Sequence, residues 1–170
     1  MAAVDLYTFT DLYRRALNSA AHILGKGWED AQAKGVSEQE MLGWRLIDDM
    51  APLAFQLMVV VNFTRSWPAR VAGKPLPGDI GQELSVAQFQ EEIAGAREWL
   101  AQLTPADFAG RDDVPLEVTL GTGMTPTLPA GQWLTVFATT NIYFHLSMAY
   151  AILRAHGVPL GKADMFAGEL

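Results

Sequence analysis

Apolar residues recur at steps of three and four positions through four long segments of this chain, and that spacing limits the fold more than any other feature. Steps of three and four are the period at which side chains line one face of an α-helix. The spacing predicts helices over about residues 5–33, 38–67, 86–103 and 130–156. Because each apolar stripe must be buried against the others, we expect one all-α domain over residues 1–170, built as a four-helix bundle.

Residues that begin and end helices stand at the limits of these segments. Ser37 and Ser85 each precede a Glu or Gln by three positions, the spacing of a capping box in the first turn of a helix. Gly157 follows the last segment, where a helix often ends in a left-handed residue. Pro52 lies inside the second segment and removes one internal hydrogen bond, so we expect a kink there. The stretch from Pro68 to Gly81 is rich in proline and glycine and predicts an exposed connection.

The connection between the third and fourth predicted helices carries the pattern of a small β-hairpin. Leu116–Leu120 and Thr125–Leu128 are short runs on either side of Gly121-Thr122-Gly123, which predicts a tight turn. Pro126 cannot donate to a strand ladder and confines the second strand to an edge.

Charge and composition exclude several classes of function. The chain has 12 Lys and Arg against 19 Asp and Glu, and its net charge of −7 repels nucleic acid and anionic lipid. It has no cysteine, which excludes thiol catalysis and thiolate metal sites and predicts a reducing, cytoplasmic location. The stretch from Val118 to Leu153 has no charged residue, yet it holds too many glycines, prolines and polar residues for a lipid-exposed span. We therefore expect neither nucleic-acid binding nor membrane insertion.

Four polar residues interrupt the apolar stripes of the second and fourth segments. Asp49 and Gln56 lie in the second segment. Asn141 and His145 lie in the fourth and share one helical face, since four residues advance about 400°. Unsatisfied polar groups inside a protein cost about 1–3 kcal/mol, so we expect these four side chains to converge within the bundle. They form either a structural hydrogen-bond network, in which Asp49 also pairs with Arg45, or the lining of a small-molecule pocket.

Several sequence runs resemble an uncharacterised family within the DinB/YfiT-like superfamily. Three lie near the C-terminus, at residues 141–145, 149–154 and 157–162, and a fourth covers residues 45–56. The resemblance implies a DinB-like four-helix bundle that forms dimers. A mean hydropathy of +0.12 in so short a chain also favours a homodimer, because a monomer would expose much of its apolar surface.

The same resemblance bears on metal binding. Many DinB-like proteins bind a divalent metal through three histidines, one on the second helix and two spaced four apart on the last. Asn141 and His145 have that spacing, but asparagine replaces the first histidine, and Asp49 stands near the second-helix position. The triad is therefore not intact, and the resemblance implies at most a degenerate divalent-metal site with Asp49 and His145 as ligands.

Three functional hypotheses follow, and the sequence identifies no reaction for any of them. In the first, the protein binds a small molecule in a bundle-core pocket near Asp49, Gln56, Asn141 and His145. In the second, it is a metal-dependent transferase of the DinB-like kind with a degenerate site. In the third, it is a structural or partner-binding dimer without a site.

Overall fold

Four long helices form a bundle in the computed structural model, which describes residues 4–121 and 123–166. The long helix before the C-terminus is continuous from Ala130 to Ala155 and contains a π-helical segment, Trp133–Ala138. A 3-10 helix, Lys162–Phe166, follows it. The predicted all-α bundle with a small hairpin before its last long helix is confirmed. The helices and strands are α1 (Thr8–Ala33), α2 (Glu38–Leu42), α3 (Leu53–Ala72), α4 (Val86–Ala101), α5 (Pro105–Phe108), β1 (Pro115–Glu117), β2 (Thr127–Pro129) and α6 (Ala130–Ala155).

The bundle is organised around the contact between α3 and α6. Gln56 near the start of α3 meets His145 late in α6, whereas Trp67 late in α3 stacks on Trp133 early in α6. The two helices are therefore antiparallel. α1 packs against α3, α4 and α6 from the other side. Each fully buried aliphatic or aromatic side chain contributes about 1.5–3 kcal/mol, and the core includes Tyr13, Leu17, Leu24, Leu57, Val60, Phe89, Ile93, Trp133 and Ile142.

The helix ends form as their sequences predict. Ser85 Oγ accepts from the backbone N–H of Gln88 at 3.1 Å, and the Gln88 side chain accepts from the Ser85 N–H at 2.9 Å. This capping box satisfies two amide groups that the first turn of α4 leaves unpaired. At the end of α6, Gly157 has φ +81°, and the N–H of Val158 reaches back to the Leu153 carbonyl at 3.1 Å. That pairing closes the helix as a Schellman motif.

The second predicted helix is in fact two helices, so the kink expected at Pro52 is wrong. α2 ends at Leu42, and residues 43–52 form a connection without helical structure. Pro52 is the extended N-cap residue of α3, with ψ 171°. A residue that precedes proline is disfavoured in the helical conformation, so Ala51 lies outside α3. The prediction also ended this helix too early, because α3 continues through Pro68 and stops at Gly73, where φ is +68°.

The hairpin is shorter than its sequence pattern suggests. β1 and β2 are antiparallel and pair over three residues each, with Leu116 opposite Leu128. Pro126 lies outside the strand because proline has no N–H to donate. Its carbonyl accepts from Val118 at 3.2 Å, and the Leu120 N–H reaches the Met124 carbonyl at 2.8 Å. The chain therefore turns back between Leu120 and Met124, while Thr122 of the predicted turn lies outside the described residues.

α6 is long and apolar enough to cross a membrane, judged by length and composition alone. Its most apolar window has a mean hydropathy of 1.2, and 33% of that window is buried. The buried side packs against α1 and α3. A core helix of a bundle has the same composition as a short membrane span, so the absence of membrane insertion stays a prediction.

Candidate functional site

Gln56 and His145 are in direct contact between α3 and α6. His145 Nδ1 lies 2.7 Å from Gln56 Oε1, and Gln56 Nε2 donates to the carbonyl of Ala51 at 3.0 Å. The second bond fixes the orientation of the amide, so Nδ1 of the neutral imidazole carries the proton and donates it to Oε1. His145 Nε2 consequently keeps a lone pair that can accept a proton or bind a metal ion.

The surroundings of this pair are apolar. Gln56 is 3% exposed, and His145 is half-buried. The rings of Phe55 and Phe144 meet the imidazole edge-on, with ring centroids at 6.0 Å and 5.1 Å from its own. Burial disfavours the charged imidazolium and lowers the pKa of His145 below the ordinary value of 6.5. The imidazole is therefore neutral at pH 7.

The structure does not place Asp49 beside this pair through any contact. Asp49 is exposed in the connection before α3, and within the described part of the chain it forms no hydrogen bond or ion pair. The expected pairing with Arg45 is also wrong, because the guanidinium of Arg45 donates to the Met50 carbonyl instead. Both differences have one cause: without a helix over residues 43–52, Asp49 is neither on an interior face nor one turn from Arg45.

Asn141 lies on α6 one turn before His145 and is half-buried. Its Nδ2 donates to the backbone carbonyl of Phe137 at 2.7 Å, within its own helix. Of the four predicted residues, the structure thus joins Gln56 to His145 directly and gives the amide of Asn141 a separate partner.

A metal centre has little support from these positions. Among the residues that the structure describes, no cluster of three or more His, Asp or Glu side chains could hold a metal ion. A protein metal site usually needs three or four such donors, and here one nitrogen, His145 Nε2, is available. Metal binding by Asp49 and His145 remains a prediction.

A large cavity lies two turns further along the same pair of helices, between α3, the connection before α4, and the hairpin. Its volume is about 550 Å³. The floor is aromatic: the rings of Trp67 and Phe137 meet at 5.1 Å and 63°, and Phe63 stacks on Phe137 at 6.2 Å. We call this space the aromatic cavity, and its other apolar lining residues include Met58, Val59, Leu76, Pro77, Val118 and Leu120.

A small number of polar groups surround the aromatic cavity. Asn62, Ser66, Arg70 and Asp79 all contribute to its lining. Asn62 is already paired, because its amide donates to the Ile80 carbonyl at 3.0 Å and accepts from the Ile80 N–H at 2.9 Å. These two bonds fasten the connection before α4 to α3 at the edge of the cavity.

The π-helical segment of α6 supplies one wall of the aromatic cavity. Trp133 is fully buried and stacks on Trp67 at 5.1 Å, and Phe137 meets Trp133 edge-on at 5.1 Å. The widened turn changes the normal pairing of backbone carbonyls. The Leu134 carbonyl accepts from the backbone N–H of Thr139, five residues further on, and also from Tyr13 Oη at 2.8 Å and Thr139 Oγ1 at 3.0 Å.

The sequence did not predict the aromatic cavity. Its aromatic residues also fit the apolar stripes of α3 and α6, so each one alone indicated core packing. Arg70 falls in the stretch from Pro68 to Gly81, whose composition predicts an exposed connection, whereas the structure places Arg70 in the last turn of α3. One signal was available: Trp67 and Arg70 are three residues apart, the spacing at which two side chains share a helical face.

The fold places the chain in a structural class. Four long helices with a hairpin before the last define a DinB-like helical bundle. The structure is similar to that of a DinB family member protein from Shewanella denitrificans, with a TM-score of 0.83 and 25% sequence identity. The match covers 92% of this chain and 88% of that one.

The family follows from the sequence comparison. Residues 6–166 match the family described as domain of unknown function (DUF1993), and the chain belongs to that family. A comparison with curated proteins finds no match. The resemblance to an uncharacterised DinB-like family is therefore confirmed.

Proposed function

We propose that this protein binds a small organic molecule in the aromatic cavity. The observation that carries the proposal is the cavity itself, about 550 Å³ in volume, with an aromatic floor and few polar groups. Binding sites for small molecules typically measure about 300–1,000 Å³ and combine mostly apolar walls with a few placed polar groups. The proposal concerns binding and assigns no reaction.

Two other places on the molecule fit a ligand less well. A hollow of about 520 Å³ lies beside α2, but it has no aromatic residue and no cation in its lining. In the Gln56–His145 pair, the oxygen and the nitrogen of the Gln56 side-chain amide are both already hydrogen-bonded. Its hydrogen bonds join α3, α6 and the connection before α3, which supports a structural role. This proposal therefore moves the ligand away from the four residues first expected to line its pocket.

Filling the aromatic cavity tests the proposal. Ser66 is half-buried and lines the cavity, so Ser66→Phe should occupy the space while leaving the core intact. We expect this change to weaken binding of the neutral probe 2-naphthylacetamide at least about tenfold, as measured by isothermal titration calorimetry.

The matched control is Ala94→Phe, which adds the same ring at an exposed position of α4. It should leave the affinity unchanged. Circular dichroism melting curves confirm that both variants fold. Equal affinity in the wild type and Ser66→Phe would place the probe elsewhere and overturn the proposal.

We also propose that the protein forms a homodimer through the exposed side of α6. Val136 and Phe144 are 56% and 54% exposed, and with Thr140 and Ser147 they form one stripe at steps of three and four residues. We call these four residues the outer face of α6. No charged residue occurs between positions 118 and 153, whereas the whole chain carries −7. An isologous contact between two copies would bury Val136 and Phe144 of both chains without bringing any charge of this stripe into the interface, which supports a second copy as the partner although the net charge of −7 opposes it.

A further inference from the structure

We infer that the ligand of the aromatic cavity is an organic anion, whose acid group binds Arg70 and whose flat apolar body lies against Phe63 and Phe137. This inference rests on the proposed binding function and adds the chemical class of the ligand. It is carried by one cation at the cavity, by the shape of the aromatic floor and by the sign of the surrounding field.

The guanidinium of Arg70 is placed for an anion and has none. Its Cζ lies 5.7 Å from the centre of the Trp67 ring, and the side chain is half-buried. Within the described residues it forms no hydrogen bond or ion pair. Arg65, one and a half turns earlier, is by contrast committed to Glu92 at 3.1 Å and to the Gly78 carbonyl at 3.1 Å.

A guanidinium in this setting recognises a carboxylate well. Its planar fork of N–H groups matches two acceptor oxygens. Because the guanidinium is already held over the Trp67 indole, the Arg70 side chain loses little conformational freedom when an anion binds. The five donors of Arg70 are free to pair with an acid group that enters the cavity.

The aromatic floor selects the rest of the ligand. Trp67 is held from behind by Trp133, whose ring is tilted from it by 22°, and from the side by Phe137. Trp67 is 4% exposed and Trp133 is fully buried, so packing holds the floor rigidly, and the half-buried rings of Phe63 and Phe137 present the surface that a ligand can reach. A fixed wall of rings favours a flat apolar group that stacks or meets it edge-on.

Asp79 is the charge that opposes this assignment. It also lines the cavity, but it is exposed on the connection before α4, where water and salt screen its repulsion. The net charge of −7 acts in the same direction as Asp79 and favours cationic ligands in general. A preference for an anion over a cation of the same shape must therefore come from Arg70.

The test uses three probes with one naphthalene body: 2-naphthylacetate, 2-naphthylacetamide and 2-(2-naphthyl)ethylamine. At pH 7.5 they carry a negative, a neutral and a positive group. Titration calorimetry on the full chain should give the acid a Kd about tenfold below that of the amide, and the amine should bind most weakly. The affinity for the acid should fall between 0.05 M and 0.5 M NaCl, while that for the amide should not, since salt screens the ion pair.

The variant Arg70→Met keeps the apolar stem and removes the charge. It should bring the acid to the affinity of the amide and leave the amide unchanged. The control Lys162→Met removes the same charge from the exposed 3-10 helix and should change none of the three affinities. The salt dependence reports on the ion pair in the wild type, so the test also stands if Arg70→Met fails to fold.

The outcomes separate this inference from the proposed function. Equal affinity for acid and amide, without effect of salt or of Arg70→Met, overturns the inference and leaves binding in the aromatic cavity intact. Tightest binding of the amine also overturns it, because Asp79 would then be the dominant charge. Failure of all three probes to bind overturns both.

Discussion

The imidazole of His145 is held in its neutral form by its surroundings. Nδ1 donates to Gln56, and the apolar rings of Phe55 and Phe144 pack edge-on against the half-buried imidazole. A proton added at Nε2 would create a charge beside two rings that have no acceptor for it. The cost of that charge falls on the folded state alone, since the unfolded chain exposes the imidazole to water.

This cost predicts how stability depends on pH. The folded pKa of His145 lies below the unfolded value of 6.5, so the unfolded chain binds the proton first as the pH falls. The stabilisation is fully present above pH 6.5 and is lost as the pH drops through the folded value. The free energy of unfolding from urea titrations should decrease between pH 7.5 and pH 5, and His145→Gln should reduce that decrease. An identical decrease in both proteins would show that desolvation of His145 is not its source.

At the scale of single residues, the sequence correctly predicted which side chains meet where a helix forms over the predicted segment. Gln56 and His145 both lie on apolar stripes, and the structure brings them within 2.7 Å. Asp49 lies on the same apparent stripe, but the stripe is interrupted because residues 43–52 are not helical. Periodicity indicates a common face only where the helix actually forms, and Pro52 is the residue from which α3 begins rather than a kink within a longer helix.

At the scale of the elements, two hydroxyl groups donate to one carbonyl of the π-helical segment of α6, in addition to its backbone donor. Tyr13 reaches the Leu134 carbonyl from α1, and Thr139 reaches it from the following turn. The two hydroxyls also lie 3.0 Å from each other. Burial raises the pKa of Tyr13, so its hydroxyl stays protonated and donates at neutral pH.

Removing either donor should weaken this segment. Tyr13→Phe deletes one buried hydroxyl, and we expect it to reduce the free energy of unfolding by about 1–2 kcal/mol. Thr139→Val, which keeps the shape of the side chain, should cost about 1 kcal/mol because Tyr13 still serves the carbonyl. Since each hydroxyl substitutes partly for the other, the double variant should lose more than the sum of the two. Urea titrations of the four proteins measure this coupling, and simple additivity would contradict the shared carbonyl.

No sequence pattern indicated this segment. A run of apolar residues such as Trp133–Ala138 fits a regular α-helix equally well. One partner of this segment, Tyr13, is 121 residues from Leu134 along the chain, so no local pattern indicates that contact. The hairpin was predictable from its local residues. Its length was not, because it depends on which N–H groups the prolines leave available for the strand ladder.

At the scale of the whole molecule, α6 presents an exposed stripe that carries no charged residue of its own. The charged residues lie outside positions 118–153, and the outer face of α6 lies within that stretch. The aromatic cavity and the outer face of α6 are both built on this helix, with Phe137 between them. A stable dimer buries about 800 Å² on each partner, which one helix face and its flanks can supply.

A charge on the outer face of α6 should dissociate the dimer. Phe144→Glu would bring one carboxylate from each copy into the proposed interface, where a buried unpaired charge is strongly unfavourable. We expect light scattering at micromolar concentration to give twice 18.6 kDa for the wild type and 18.6 kDa for the variant. Ala94→Glu adds the same charge on the exposed side of α4 and should leave the dimer mass unchanged. A wild-type protein that has the monomer mass, or that sediments with phospholipid vesicles through α6, would show that a second copy does not cover this face.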